Sequence, residues 1–445
     1  MPEYMKDYKV ISILGFFRTF SGGIIGTGFA IFILFHFGSY YWSGVSSAAI
    51  ALPYIFATII CGRVSDKIGR RSSLIIATSS NLAIAVGFMA VVILVKFTTD
   101  TWLLAFIIIL RLAEGVANGF FWPILQASLS DVAMNCCGEG DAGQVEAIAR
   151  RGQGIYNLGW SLGVLAGQVV LSSMSMAGLL DVVLLFPLAS HGVNLAIVLL
   201  FFRVVMSGPV RVPDTIAPVH NVHETHDLQQ LGRRGRYSRP VLKTGRVVAL
   251  LGLTLIFVYG FALGSLSTTT TNLFKAWGVA TLVGFTEAIR LSTQSFTASK
   301  VRLDKNNVMF KVIGTGGLLA AMFLVMASLS MFFAPPLLDS SSTYTAVGIS
   351  MTLYAVSGLL FGITYAEAMN MVLMSGSTKR RGLLMGLFES SIGAGFFLGP
   401  YMAGVLTEFA TFQESYVVTA MVLFSLLSTC AGMAFYLRHA GHANQ

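Results

Sequence analysis

The sequence predicts an all-α membrane protein with twelve transmembrane helices in two related, pseudo-symmetric bundles of six. Three observations carry that expectation. The chain of 445 residues is 55% hydrophobic and only 11% charged, with a mean hydropathy of +0.75, whereas soluble domains carry about 25% charged residues. Its apolar residues come in runs of about the 20 residues that a helix needs to cross a bilayer. Its basic residues gather in alternate loops.

Taken in order, the runs between polar breaks place spans near 10–36, 42–62, 73–95, 102–129, 152–172 and 179–203. A second set follows near 246–271, 278–299, 308–333, 344–372, 383–406 and 415–437. Barrel strands would instead alternate over about 10 residues. The opening "MPEYMKDYKV" has no basic stretch leading into a short apolar run with a cleavage site, so the first span reads as retained. Of the 29 Lys and Arg, only Lys96 and Lys275 fall in loops on one side, and Arg18, Arg111 and Arg290 lie inside spans. All the others share the side of the two termini. Positive loops stay in the cytoplasm, which puts both termini on the cytoplasmic side of the cell membrane. The net charge of +9 is therefore a topology signal, and nucleic acid is not an expected partner. The cysteines Cys61, Cys136, Cys137 and Cys430 lack metal-site spacing.

Residues 204–245 form the one long polar stretch, with Pro209, Pro213, Pro218 and the run "GRRGRYSRP". They divide the chain into an N-terminal bundle (1–203), a cytoplasmic linker (204–245) and a C-terminal bundle (246–445). The two parts echo each other. "RGQGIYNLGWSLGVLAGQ" from Arg151 aligns with "RGLLMGLFESSIGAGFFLGP" from Arg381, pairing Gly163 with Gly395 and Gly167 with Gly399. Gly115 and Gly119 similarly parallel Gly358 and Gly362. Glycines four apart let helices approach closely. Related halves fit a rocking transporter with a central site. The linker's His220, His223 and His226 have the spacing of metal ligands on a helix, but among prolines they read as solvated linker, and no metal site is expected.

The loop after the second span, "GRVSDKIGRR", resembles the signature of the major facilitator superfamily, Gly-x-x-x-Asp-x-x-Gly-Arg-Lys/Arg, at Gly62, Asp66, Gly69, Arg70 and Arg71. "RLAEGVANGFFWP" from Arg111 resembles that family's fourth-span motif, Arg-x-x-Gln-Gly-x-Gly, with Glu114 in the Gln place. The second half keeps a worn copy of the loop motif, "SKVRLDKNN", with Asp304 and Lys305. The resemblance covers the whole chain. It implies that Asp66 faces the start of the eleventh span and that Arg70 pairs with Asp131, a cluster that gates the cytoplasmic side. It also implies that spans 1, 2, 4, 5, 7, 8, 10 and 11 line a cavity, with 3, 6, 9 and 12 outside.

Ionisable groups inside spans are costly and mark functional candidates. They are Arg18, Arg111, Glu114, Glu287, Arg290, Glu367 and Glu389. Arg111 with Glu114, and Glu287 with Arg290, are three apart and share helix faces; they either pack as ion pairs or bind a charged solute. Glu367 and Glu389 have no basic residue three or four positions away, which suits groups that take up and release protons. Tyr156, Asn157, Trp160, Tyr259, Trp122 and Tyr365 are candidate pocket residues, whereas His191 and Asn194 read as packing. No Walker loop, dinucleotide fingerprint or nucleophile elbow appears. The expectation is a monomeric, non-enzymatic secondary transporter of a small organic solute among membrane lipids, without a cofactor and driven by a proton gradient. Export of a drug or metabolite is the expected direction; proton-coupled uptake of a sugar or organic anion is the alternative. A transport-inactive sensor or lipid scramblase is a third reading, of another class. The drug-export motif of the fifth span ends Gly-Pro-x-x-Gly-Gly, but here Gly167 is followed by Gln168, and the Gly-Pro pair stands in the eleventh span at Gly399 and Pro400.

Overall fold

A computed structural model describes residues 4–137, 142–203, 238–300, 308–333, 340–375 and 381–442. Every regular element among them is helical. The first part comprises α1 (Tyr4–His36), α2 (Tyr40–Ala49), α3 (Ala51–Ile68), α4 (Arg70–Leu94), α5 (Thr101–Cys137), α6 (Ala142–Met176), α7 (Leu180–Val183) and α8 (Phe186–Leu200). The second comprises α9 (Ser238–Ala276), a 3₁₀ turn (Ala280–Leu282), α10 (Val283–Lys300), α11 (Val308–Phe332), α12 (Ser340–Ser375), α13 (Arg381–Phe409) and α14 (Phe412–His442). The linker histidines, Asp304 and Lys305 lie outside the described residues.

Ten helical segments are long and apolar enough to cross a membrane among the described residues. The two expected spans missing from that set are α10 and α13. They carry Glu287, Arg290 and Glu389, and their polar content lowers their hydropathy. Apolar side chains face outward on many helices, among them Phe97 (81% exposed) and Phe332 (82% exposed). Water would not tolerate so much exposed apolar surface on one chain. The chain is a multi-pass membrane protein.

Two expected spans are broken rather than continuous. The second bends at Ile50, between α2 and α3, because Pro53 has no N–H to offer the carbonyl of Ala49. The sixth breaks ahead of Pro187, which occupies the first turn of α8, a favoured place for proline. Several helices run beyond the apolar stretch: α5 continues to Cys137 and α6 begins at Ala142.

The glycine repeat sets the packing. A side chain at Gly163 would strike Phe16 and Thr19 of α1, and one at Gly167 would strike Phe20. In the second part, Gly395 and Gly399 of α13 meet Phe257 and Phe261 of α9 in the same way. Gly115 packs on the Ile50 carbonyl, and Gly358 packs on that of Arg290. The fifth span therefore sits on the first as the eleventh sits on the seventh, and the fourth on the second as the tenth on the eighth. Buried apolar side chains gather into one cluster drawn from α9–α14 with Ile31, and two drawn from α1–α8. Between the two parts, α2 and α3 pack on α13, and α6 packs on α10.

Candidate functional site

A cavity of about 500 Å³ lies where these helices converge. Its walls come from α1, α2, α3, α5, α6, α9, α10, α12 and α13; among the described residues, α4, α7, α8, α11 and α14 contribute none to the lining. Most of the intramembrane charges meet there.

On one side, Arg18 of α1 and Arg111 of α5 converge on Glu114. Arg18 Nη2 donates to Glu114 Oε1 at 3.0 Å, and Arg111 Nη1 donates to Oε2 at 2.5 Å. Arg18 Nε also donates to Asn118 Oδ1 at 2.7 Å, and Arg111 Nε to the carbonyl of Ser46 at 3.2 Å. Arg18 and Glu114 are each 2% exposed. Two guanidinium groups hold this one carboxylate, and its loss would leave both without a counter-charge. The three-residue spacing of Arg111 and Glu114 thus forms an ion pair, and the structure adds a third member that spacing could not supply.

On the other side, Arg290 Nη2 meets Glu287 Oε2 at 2.8 Å within α10. Arg290 Nη1 donates to Gln294 Oε1 at 2.6 Å, and Gln294 Nε2 donates to the Tyr259 hydroxyl at 2.8 Å. The chain of bonds links α10 to α9.

Glu389 of α13 bridges the two parts of the molecule. Its Oε2 accepts from the Tyr54 hydroxyl at 2.8 Å, and its Oε1 from Gln126 Nε2 at 3.2 Å. Both donors are neutral. Tyr54 and Gln126 were not singled out from the sequence, although a signal exists for Gln126: Glu114, Asn118, Trp122 and Gln126 stand four apart on α5, and all line the cavity. Tyr156, Asn157, Trp160, Tyr259 and Tyr365 line it as well. Asn157 Oδ1 accepts from Gln153 Nε2 at 3.0 Å and Trp160 Nε1 at 3.1 Å.

Glu367 of α12 stands apart from these lining residues. It is fully buried (0% exposed) but does not line the cavity, which α12 reaches through Tyr365 and Met369. At about 3.6 residues per turn, positions 365 and 369 share a face and 367 lies on the opposite one. His191 and Asn194 of α8 are buried. With its amide oriented to suit its neighbours, Asn194 bonds the backbone of Leu14 and Arg18, which ties α8 to α1.

The loop motif lies at one end of the helices. Gly69 ends α3 with φ +88°, a conformation that favours glycine. Arg70 Nε donates to Asp131 Oδ2 at 3.1 Å, its Nη1 to Ser65 Oγ at 2.6 Å, and Arg71 Nη2 to the carbonyl of Leu199 at 2.7 Å. Gly62 and Asp66 fall in α3, with the Asp66 side chain outside the described residues. At the opposite end the walls touch directly. Glu408 Oε2 accepts from the Tyr41 N–H at 3.0 Å, capping α2 across the interface. Tyr40 rests on Phe412, Tyr41 on Phe409, and Lys275 Nζ lies 3.7 Å from the centre of the Phe35 ring. A side chain at Gly44 would collide with Gly404.

A sequence profile described as Major Facilitator Superfamily matches residues 11–352. The chain belongs to this superfamily. Solved structures of similar fold include the nucleoside transporter NupG, 13% identical with a TM-score of 0.60, covering 96% of this chain and 99% of that one. A POT family transporter in complex with 5-aminolevulinic acid is 10% identical with a TM-score of 0.67, covering 97% and 96%. The human organic anion transporter MFSD10 (TETRAN) is 15% identical with a TM-score of 0.59, covering 97% and 100%. Among curated protein sequences, none matches the chain. As a major facilitator protein the chain is a transporter and not an enzyme. No group of three or more His, Cys, Asp or Glu among its described residues could hold a metal ion.

Proposed function

We propose that this major facilitator protein is a secondary active transporter that moves a small organic solute through the central cavity by alternating access, coupled to protons. In this reading twelve spans form two six-helix bundles, residues 1–203 and 246–445, joined by a cytoplasmic linker at 204–245. It acts as a monomer in the cytoplasmic membrane, with both termini inside. The proton gradient supplies the energy and no cofactor is bound.

The observation that carries the reading is Glu389. A carboxylate held inside the membrane by neutral donors alone, between the two parts of the chain, can change charge without stranding a buried arginine. Ionised, it accepts from both Tyr54 and Gln126; protonated, it gives up part of that acceptor capacity. Proton uptake then loosens the contact between α3, α5 and α13. The cluster of Gly62, Asp66, Gly69, Arg70, Arg71 and Asp131 serves as the cytoplasmic gate, supported by the motif and by the Arg70–Asp131 contact. Arg18, Arg111, Glu114, Tyr156, Asn157, Glu287 and Arg290 form the solute site.

Export is the proposed direction, on the likeness of the stretch from Arg111 to the fourth-span motif Arg-x-x-Gln-Gly-x-Gly, which this reading takes to accompany drug-type export. Uptake is favoured by one departure, the absence of the Gly-Pro pair from α6. The test is flux in proteoliposomes loaded with solute pools under an imposed pH gradient of either sign. Solute movement that follows the gradient supports the reading, and its sign relative to protein orientation gives direction. Flux indifferent to the gradient excludes proton coupling.

A further inference from the structure

The charged side chains of the cavity wall are divided unevenly between its two sides. Arg18 and Arg111 share the single carboxylate of Glu114, so the wall built by α1 and α5 holds one uncompensated positive charge. On α10 and α13, Arg290 pairs with Glu287 while Glu389 is held by neutral donors, so with Glu389 ionised that wall carries a net charge of −1, shared between two carboxylates and one guanidinium. Buried charges without counter-charges are costly in a membrane interior. A cavity carrying one of each sign on opposing walls is relieved by a guest that carries both.

Hydrogen-bond accounting points the same way. Arg18 uses Nε and Nη2, and Arg111 uses Nε and Nη1. The remaining Nη1 of Arg18 and Nη2 of Arg111 meet no acceptor among the described residues. Opposite them, Glu287 Oε1 meets no donor, although Glu287 is 3% exposed and lines the cavity. A guanidinium pair with spare donors suits a carboxylate, and a carboxylate oxygen without a donor suits an ammonium.

We infer that the solute is amphoteric: a small molecule whose anionic group lies at Arg18 and Arg111 and whose amino group lies at Glu287. Its apolar or aromatic body rests among Tyr156, Trp160, Tyr259 and Phe396, which line the space between. The volume of about 500 Å³ falls within the range of about 300–1,000 Å³ typical of pockets for such ligands. A neutral solute would leave both walls uncompensated, and a simple anion or cation would leave one.

The inference rests on the transport reading and narrows it, so binding and flux are measured separately. The probes are phenylalanine and phenylalanyl-alanine, each as the zwitterion, the C-terminal amide, the N-acetyl acid and the N-acetyl amide. These forms share one body and differ in charge. Binding to the purified full chain is read by thermal stabilisation, and flux by counterflow in proteoliposomes. The expected result is that the zwitterion binds about 10-fold or more tightly than any blocked form. In Glu287→Gln the advantage of a free amino group shrinks by about 10-fold, while that of the free carboxylate remains. In Arg18→Lys the reverse holds. The four-form comparison on the unaltered protein stands even if a variant fails to fold. Equal binding of all forms, binding of none, or preference for a blocked form overturns the amphoteric assignment. Flux of blocked forms alone overturns it while leaving the transporter reading intact. Zwitterion binding without flux supports the charge pairing and instead counts against transport.

Discussion

Glu389 and Glu114 are both buried glutamates, yet their neighbours differ in charge. Glu389 accepts from Tyr54 and Gln126, so replacing it by Gln leaves no cation unpaired. Glu389→Gln is expected to abolish pH-driven flux while solute exchange without a gradient continues; coupled, parental flux in this variant would remove Glu389 from the proton path. Glu114→Gln strands two guanidinium groups, and removing one partner of a buried pair costs about 3–5 kcal/mol. Loss of expression or thermal stability is expected there, before any question of coupling. Arg111→Ala removes the donors to Glu114 and to Ser46 and should lower transport by about 30-fold or more, the scale of truncating a buried charged pair. Arg111→Lys keeps the charge without the fork and should retain a measurable fraction. Parental rates in Arg111→Ala would reduce the residue to packing. The spacing of three between Arg111 and Glu114, and between Glu287 and Arg290, was legible in the sequence. The convergence of Arg18 on Glu114 was not, because 96 residues separate them. For Glu367, the lack of a nearby basic residue said nothing about which side of α12 it occupies.

Glycine decides how the helices meet. On α6, Gly159, Gly163 and Gly167 lie against backbone atoms of α1, while Gly154 has nothing within 4 Å of a side-chain position. Gly163→Val is therefore expected to push α1 from α6 and lower the melting temperature or yield of folded protein. Overpacking typically costs about 1–3 kcal/mol, and a rigid backbone obstacle puts this case at the upper end. Gly154→Ala should leave both unchanged. Similar melting temperatures for the two variants would show that the α1–α6 contact is soft. The same rule was readable from the repeat, since glycines at matched places in the two halves imply matched contacts. Proline was read less well. Pro53 and Pro187 interrupt the second and sixth spans, and their effect is invisible to a count of apolar residues.

Among the described residues, two hydroxyl–hydroxyl contacts cross the interface between the parts of the molecule. Thr58 Oγ1 lies 3.2 Å from Ser390 Oγ, and Ser295 Oγ donates to Ser161 Oγ at 2.9 Å. Alternating access requires such surfaces to part or slide during each cycle. With the native cysteines replaced by serine, the pair Ser161→Cys and Ser295→Cys should form a disulfide on oxidation, since touching side chains meet its distance requirement. Flux is expected to stop on oxidation and to return on reduction. Undiminished flux through a fully cross-linked protein would mean that α6 and α10 move as one body.

Composition, span lengths and charge asymmetry determined by themselves that this chain is a helical membrane protein. A bilayer admits only backbones that satisfy their own hydrogen bonds, and its thickness sets the length of each run. The family motif around Gly69 and the glycine repeat were likewise local and readable. What required the tertiary structure was the company each charge keeps. Whether a buried carboxylate is clamped by arginine, as Glu114 is, or held by a tyrosine and an amide, as Glu389 is, depends on which helices meet. Close approach of helices distant in sequence creates that pairing, and the pairing separates a carboxylate with neutral partners from one whose charge its neighbours need.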